Sequence, residues 1–266
     1  MHNLSICAII KDEDQYLEEW VSYHLALGVD HIYLYDNNSI NHQQNFISEA
    51  NLAHVTVIPY PKRDGNPQNA CYNQFLKDYG HESKWVAIID ADEFIRVVDD
   101  TPLLEFLEEF EDYDGLYVAW VTYNADGQLT NDGRPVRERF LKTVPNAEGV
   151  NGKSIIRPDK VSVMDTHFPE SDTWDDCVIV DERHERVYEA LGYIAPDNRI
   201  VIDHYFTKSW EEWQHKINRG TADNSGVRKM RDFFYFNPEL VDYAPDEIKD
   251  ILDINTPIFI LKQKEV

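Results

Sequence analysis

Two carboxylates one residue apart, Asp90 and Asp92 in Ile88-Ile89-Asp90-Ala91-Asp92-Glu93-Phe94, stand where an apolar run gives out. Residues i and i+2 of an extended chain point to the same side, so the pair could face one cation or one cation-bound phosphate, and hard oxygen ligands suit Mg2+ or Mn2+. In a chain with 49 Asp and Glu a solvated turn offers the same residues. Position favours chemistry, because the preceding run Trp85 to Ile89 carries no charge.

The elements around the motif point the same way. Leu4 to Ile10 predicts a strand and Glu13 to Gly28 a helix, with Tyr16, Leu17, Trp20, Val21 and His24 at helical spacing. His31 to Tyr35, Val55 to Tyr60 and Trp85 to Ile89 predict three further strands, and Asn66 to Tyr79 a helix. Strands alternating with helices predict an α/β fold, a mostly parallel central sheet flanked by helices, with ligands beyond the carboxyl ends of the strands. Polar clusters follow all four strands: Lys11-Asp12-Glu13, Asp36-Asn37-Asn38, Lys62-Arg63-Asp64 and Asp90-Ala91-Asp92-Glu93. After a helix at Pro102 to Glu111 the pattern changes to strand-like runs at Gly115 to Tyr123, Lys153 to Arg157 and Ile200 to Phe206 between loops, with a helix at Trp210 to Arg219. A smaller mixed second half is expected, within one domain over 1–266.

The motifs together resemble a known family. Asp90-Ala91-Asp92 is similar to the DxD motif of GT-A glycosyltransferases, the nucleotide-diphospho-sugar transferases. KDEDQYLEEWVSYHLALGVDHIYLYDNNS resembles the opening of the family-2-like and family-92 transferases. The segments Gln68 to Tyr72, Trp85 to Phe94, Lys153 to Pro158, His204-Tyr205 and Lys208-Ser209 extend the match across roughly residues 4 to 220. The resemblance implies a nucleotide-sugar-binding half at 1–112, an acceptor-binding half at 113–266, and a hexose moved from a nucleotide sugar, with UDP the commonest donor nucleotide.

It also implies roles. Ile9, Lys11 and Asp36 would hold the nucleoside, although Asp36 is equally suited to cap a turn. Arg63 and Gln68 would contact donor phosphate or sugar, beside Ala91 within the motif. Such enzymes commonly complete the metal site of the two aspartates with a histidine from the second half, here His167 or His204. His204 is preferred, because it follows an apolar strand and precedes Lys208 by four residues, offering a metal ligand and a diphosphate partner together. His167 suits acceptor contact as well as ligation. Trp120 would stack on an acceptor sugar or fill the core, and Lys153 and Arg157 could close over phosphates. Inversion requires a carboxylate base. Asp126, Asp165, Asp172 and Glu182 are candidates, with Asp172 placed first.

Composition restricts the partners. With 25 Lys and Arg against 49 Asp and Glu, the net charge of −24 opposes nucleic acid and polybasic membrane anchoring. An anionic substrate then needs local help from a cation or a few well-placed Lys and Arg. Three scattered cysteines, and no apolar run of signal or membrane-spanning length, fit the cytoplasm, including the inner face of the membrane. The expected acceptor is a saccharide or a lipid-linked saccharide, in surface or capsular polysaccharide synthesis. Two rivals remain: an Asp-nucleophile phosphatase or phosphotransferase, which also places DxD after an apolar strand, and a noncatalytic nucleotide- or carbohydrate-binding module. Without GxGxxG or GxxxxGK[ST], dinucleotide and P-loop chemistry lack their phosphate cradles.

Overall fold

The N-terminal apolar run forms β1 (His2–Ile10), buried from Leu4 onward. Its side chains divide by the two-residue strand period. Leu4, Ile6, Ala8 and Ile10 pack with Leu17, Trp20 and Val21 of α1 (Leu17–Ala26), whereas Cys7 and Ile9 pack with Cys71, Tyr72 and Phe75 of α3 (Pro67–Asp78). A sheet covered on both faces explains why the run is continuously apolar rather than alternating. The computed structural model describes residues 1–61, 65–144, 151–171, 177–190, 199–220, 228–249 and 252.

Among those residues nine strands form one sheet, in the order β3-β2-β1-β4-β7-β6-β9-β5 with β8 beside β6. The remaining strands are β2 (His31–Asp36), β3 (Val55–Pro59), β4 (Ser83–Ile88), β5 (Glu93–Val97), β6 (Gly115–Thr122), β7 (Gly152–Ile156), β8 (Ile179–Val180) and β9 (Ile200–His204). The first four in the order are parallel, so their carboxyl ends lie along one rim. From β7 onward the pairing is mixed. The predicted division into a parallel and a mixed part is therefore observed. The other helices are α2 (Glu49–Leu52), α4 (Leu103–Glu108), α5 (Val136–Arg139), α6 (Trp210–Arg219), α7 (Met230–Phe236) and α8 (Asp246–Lys249).

Two strands escaped the sequence reading, the short β8 and, of more consequence, β5. After β4 the chain turns through 89–92 and runs out again as β5, antiparallel to β9, with Glu93 opposite His204. The carboxylates beside it hid this strand, yet its pairing is what carries the histidine to the motif. A second placement depends on a glycine. A Cβ at Gly152 would collide with the carbonyl of Val118 and with Ala119, so only glycine lets β7 approach β6 this closely and set Lys153 behind the motif.

Local chemistry also fixes the helices that reach the rim. Asn66 caps α3, its side chain accepting from the N–H groups of Gln68 at 3.0 Å and Asn69 at 3.1 Å, with Pro67 in the first turn. Ser209 and Glu212 form a reciprocal capping box on α6, which carries Glu211 and Glu212 in its first turn and Lys216 and Arg219 in its last. Trp213 docks this helix on Phe233 and Phe234 of α7 and on Leu240.

Candidate functional site

The motif lies in the 89–92 turn, so the strand alternation that would place both aspartates on one side does not apply. Their carboxylates face different partners. Asp90 accepts hydrogen bonds at Oδ1 from Gln68 Nε2 (2.7 Å) and the Tyr72 hydroxyl (3.2 Å), and its Oδ2 lies 3.0 Å from Lys153 Nζ. Lys153 is wholly buried and also donates to the Thr166 carbonyl at 3.0 Å. Burial pulls its ammonium down, but Asp90 and then Glu93 outweigh this and raise it.

Asp92 is divided between two neighbours. Its Oδ2 is 2.5 Å from Lys216 Nζ, and its Oδ1 is 3.7 Å from His204 Nε2. Burial alone would raise its carboxyl, yet Lys216, then His204 and Lys208, hold it well below the usual carboxylate range. His204 is positioned by the β5–β9 ladder and by the Tyr205 N–H, which donates to the Asp92 carbonyl at 2.9 Å. Burial brings its pKa down to about 3 against the pull of Asp92, leaving a neutral imidazole near pH 7. The ring lies 4.3 Å from Trp120 between centroids, and its buried Nδ1 has no hydrogen-bond partner among the described residues.

This arrangement can be tested against a divalent ion. No three His, Cys, Asp or Glu among the described residues gather around one point. A carboxylate oxygen and a neutral imidazole nitrogen 3.7 Å apart nevertheless suit an ion that completes its shell with water and substrate phosphate. Asp92 and His204 therefore fit such an ion as a pair, while Asp90 is held by Lys153, Gln68 and Tyr72 and supports the turn. Beside them Glu93 is fully buried, accepting from the Asp90 N–H at 2.8 Å. Burial, against the pull of Lys153 and with the push of Asp90, drives its carboxyl well above the ordinary range.

The other candidates fall around this centre unevenly. Ile9 and Ala91 are buried, and Gln68 acts through Asp90. Asp36 caps its own turn, accepting from the Ser39 N–H at 2.9 Å. Lys11 Nζ reaches the Arg219 carbonyl at 3.4 Å, while Arg219 donates to the Lys11 carbonyl at 2.7 Å and pairs with Glu13, tying the end of β1 to the end of α6. Lys208 is buried at a positive φ of 53°, its ammonium 4.1 Å above the Tyr16 ring. His167 Nδ1 bonds the Gly152 carbonyl at 2.9 Å, and its ring stands 5.3 Å from Trp120, which is half-buried and whose indole N–H has no partner among the described residues. Arg157 is directed elsewhere, donating to the Glu111 carbonyl at 2.6 Å.

Among the proposed bases, Glu182 is buried and accepts from the Ile200 N–H at 3.0 Å. Asp165 accepts from Asn69 and the Thr166 N–H, and Asp126 pairs with Lys142 at 2.6 Å. Arg63 and Asp172 lie outside the described residues. Sequence reasoning missed Lys216, although it follows the core residue Trp213 by three positions and so shares its buried helix face.

Residues 2–233 match the model of glycosyltransferase family 92. The chain belongs to that family. Glycosyltransferase family 92 proteins of Ricinus communis and Arabidopsis thaliana are 22% and 23% identical to it, in alignments that cover 84% and 83% of this chain. They correspond to 41% and 38% of those relatives, so this family 92 chain spans about two fifths of their length. Among solved structures, S. aureus TarS 1-349 aligns with a TM-score of 0.42 and 16% identity over 65% of this chain and 52% of that one. Mycobacterium tuberculosis glucosyl-3-phosphoglycerate synthase, crystallised with Mn2+, UDP and glucosyl-3-phosphoglycerate, aligns with a TM-score of 0.32 and 16% identity over 45% of this chain and 44% of that one. No helix among the described residues is long and apolar enough to cross a membrane.

Proposed function

We propose that this family 92 chain is a GT-A transferase that moves a hexose from a nucleotide sugar, with UDP as the nucleotide, to a saccharide or lipid-linked acceptor with inversion. The observation that carries the reading is the facing of Asp92 Oδ1 and His204 Nε2 at the carboxyl rim of the parallel strands, with buried ammonium groups behind them in an acidic chain. Mn2+ or Mg2+ held by Asp92 and His204 would supply Lewis-acid neutralisation of the leaving diphosphate. The protein's own part is positioning. Lys153, Gln68 and Tyr72 keep the turn rigid, Lys216 and Lys208 set fixed positive charge beside Asp92, and the β1 end at Ile9 and Lys11 with the Asp36 turn borders the nucleoside. Trp120 and His167, from the second half, form an aromatic edge suited to a sugar face. Asp172 is assigned the base.

Work on surface or capsular polysaccharide in the cytoplasm, at the inner membrane face, is the setting that this reading favours. The test is UDP release from UDP-glucose and UDP-galactose with Mn2+ over an acceptor panel. Activity that depends on acceptor and is absent from Asp92→Ala supports the reading. Phosphomonoester hydrolysis lost in Asp90→Asn, without nucleotide-sugar turnover, would replace it with the phosphatase alternative.

A further inference from the structure

The two edges of the Asp92 carboxylate serve different neighbours, and the second is held against a positive charge. Oδ1 faces His204, while Oδ2 is occupied by Lys216 Nζ at 2.5 Å. That ammonium also donates to the Phe206 carbonyl at 2.7 Å and lies 4.6 Å above the Phe206 ring, on a side chain only 8% exposed. Its helix is fixed at both ends, by the Ser209–Glu212 box and by Arg219 on Lys11 and Glu13. A lysine held this firmly against a prospective ion ligand acts on whatever binds there.

We propose that Lys216 couples cation to nucleotide in this site: its ammonium opposes a divalent ion bound alone at Asp92 and favours one that arrives with a diphosphate. The inference rests on the donor assignment above. Its sign follows by difference, whatever charge the surrounding groups carry. Removing one positive charge from beside Asp92 makes the site one unit more negative. A lone divalent ion then gains, and a donor whose pyrophosphate diester brings two negative charges loses. Lys208 also places positive charge near Asp92, but its ammonium sits over the Tyr16 ring, whereas Lys216 is in contact. A single charge within about 4–6 Å shifts a charge-changing equilibrium by roughly tenfold or more.

The experiment is a pair of calorimetric titrations, Mn2+ alone and then UDP at saturating Mn2+, on wild type, Lys216→Met and Lys216→Arg. Lys216→Met is expected to bind Mn2+ alone about tenfold more tightly and UDP about tenfold more weakly. Lys216→Arg, which keeps the charge, is expected to follow wild type in both titrations. A lysine that merely supported the fold would weaken both ligands when removed, so opposite signs are the decisive readout. Thermal unfolding checks that each variant folds, and Lys216→Gln, which keeps a donor for the Phe206 carbonyl, replaces Lys216→Met if that one does not. Wild type that binds Mn2+ and UDP while the neutral variant shifts neither, or weakens both, overturns the role of Lys216 alone. Wild type that takes up Mn2+ but no UDP overturns the donor assignment beneath it.

Discussion

Replacing Glu212 with glutamine tests whether the buried network at the start of α6 holds the cationic side of the site. Glu212 accepts two hydrogen bonds from Arg139, at 2.9 and 2.7 Å, with side chains 5% and 0% exposed, and others from the Tyr16 hydroxyl at 2.7 Å and the Ser209 N–H at 3.0 Å. Burial works against its ionised form, but the bonds from Arg139, Ser209 and Tyr16 outweigh it and bring the pKa from 4.5 down to about 2. A carboxyl depressed that far on folding contributes about 3 kcal/mol, in line with the ~3–5 kcal/mol lost when a buried pair is broken. The contribution is complete above pH 4.5 and disappears as the pH falls towards 2. At about 2–4 °C per kcal/mol for a domain of this size, Glu212→Gln should lower the Tm at pH 7 by about 6–12 °C. Because glutamine does not titrate, the gap between wild type and variant should narrow steadily below pH 4.5. Thermal unfolding followed by circular dichroism from pH 3 to 7 measures both effects. An equal gap at pH 3 and pH 7, or no gap at pH 7, would refute the reasoning.

Other outcomes follow from separate parts of the fold. Lys153→Met leaves Asp90 without its counter-ion and should lose about 3–5 kcal/mol in urea unfolding; Asp90→Asn in the same chain should recover part of that, and simple additivity would count against the pairing. Gly152→Ala meets the Val118 carbonyl and should prevent soluble expression, whereas Gly127→Ala, at φ 74° with open space around it, should lose only about 1 kcal/mol. His24 donates from Nδ1 to the Trp20 carbonyl at 2.8 Å, and burial, opposed by that carbonyl, brings its pKa down to about 3. Its ring should stay neutral at pH 5 in a nitrogen-detected NMR titration, and stability should decline as the pH falls below 6.5, where the unfolded chain takes up the proton first. A normal titration near 6.5 would contradict this burial.

The parallel part of the sheet was legible because its strands are buried on both faces and read as unbroken apolar runs, as in Leu4 to Ile10 and Trp85 to Ile89. The rim position of Asp90 and Asp92 followed from that alone. What the sequence concealed was geometry beyond the nearest residues. The motif turns instead of continuing as a strand, which gives the two carboxylates different partners, and β5 behind it carries Glu93 and Arg96 in a strand whose Arg96 pairs with Asp203 across the ladder. Lys216 was hidden among alternating charges on α6, since nothing local distinguishes a lysine that faces a buried aspartate from one that faces solvent. The preference for His204 over His167 had a local basis, the apolar strand before it, and the structure does bring His204 beside Asp92.

The most direct measurement is UDP binding by thermal shift, with and without Mn2+, in wild type, Asp92→Ala and His204→Ala. Wild type should gain about 2.7 kcal/mol of stability at a UDP concentration one hundred times Kd with Mn2+ present. Both variants should lose most of that gain, and omitting Mn2+ should do the same to wild type. UDP stabilisation that survives in Asp92→Ala, or that is equal with and without the ion, would contradict the account.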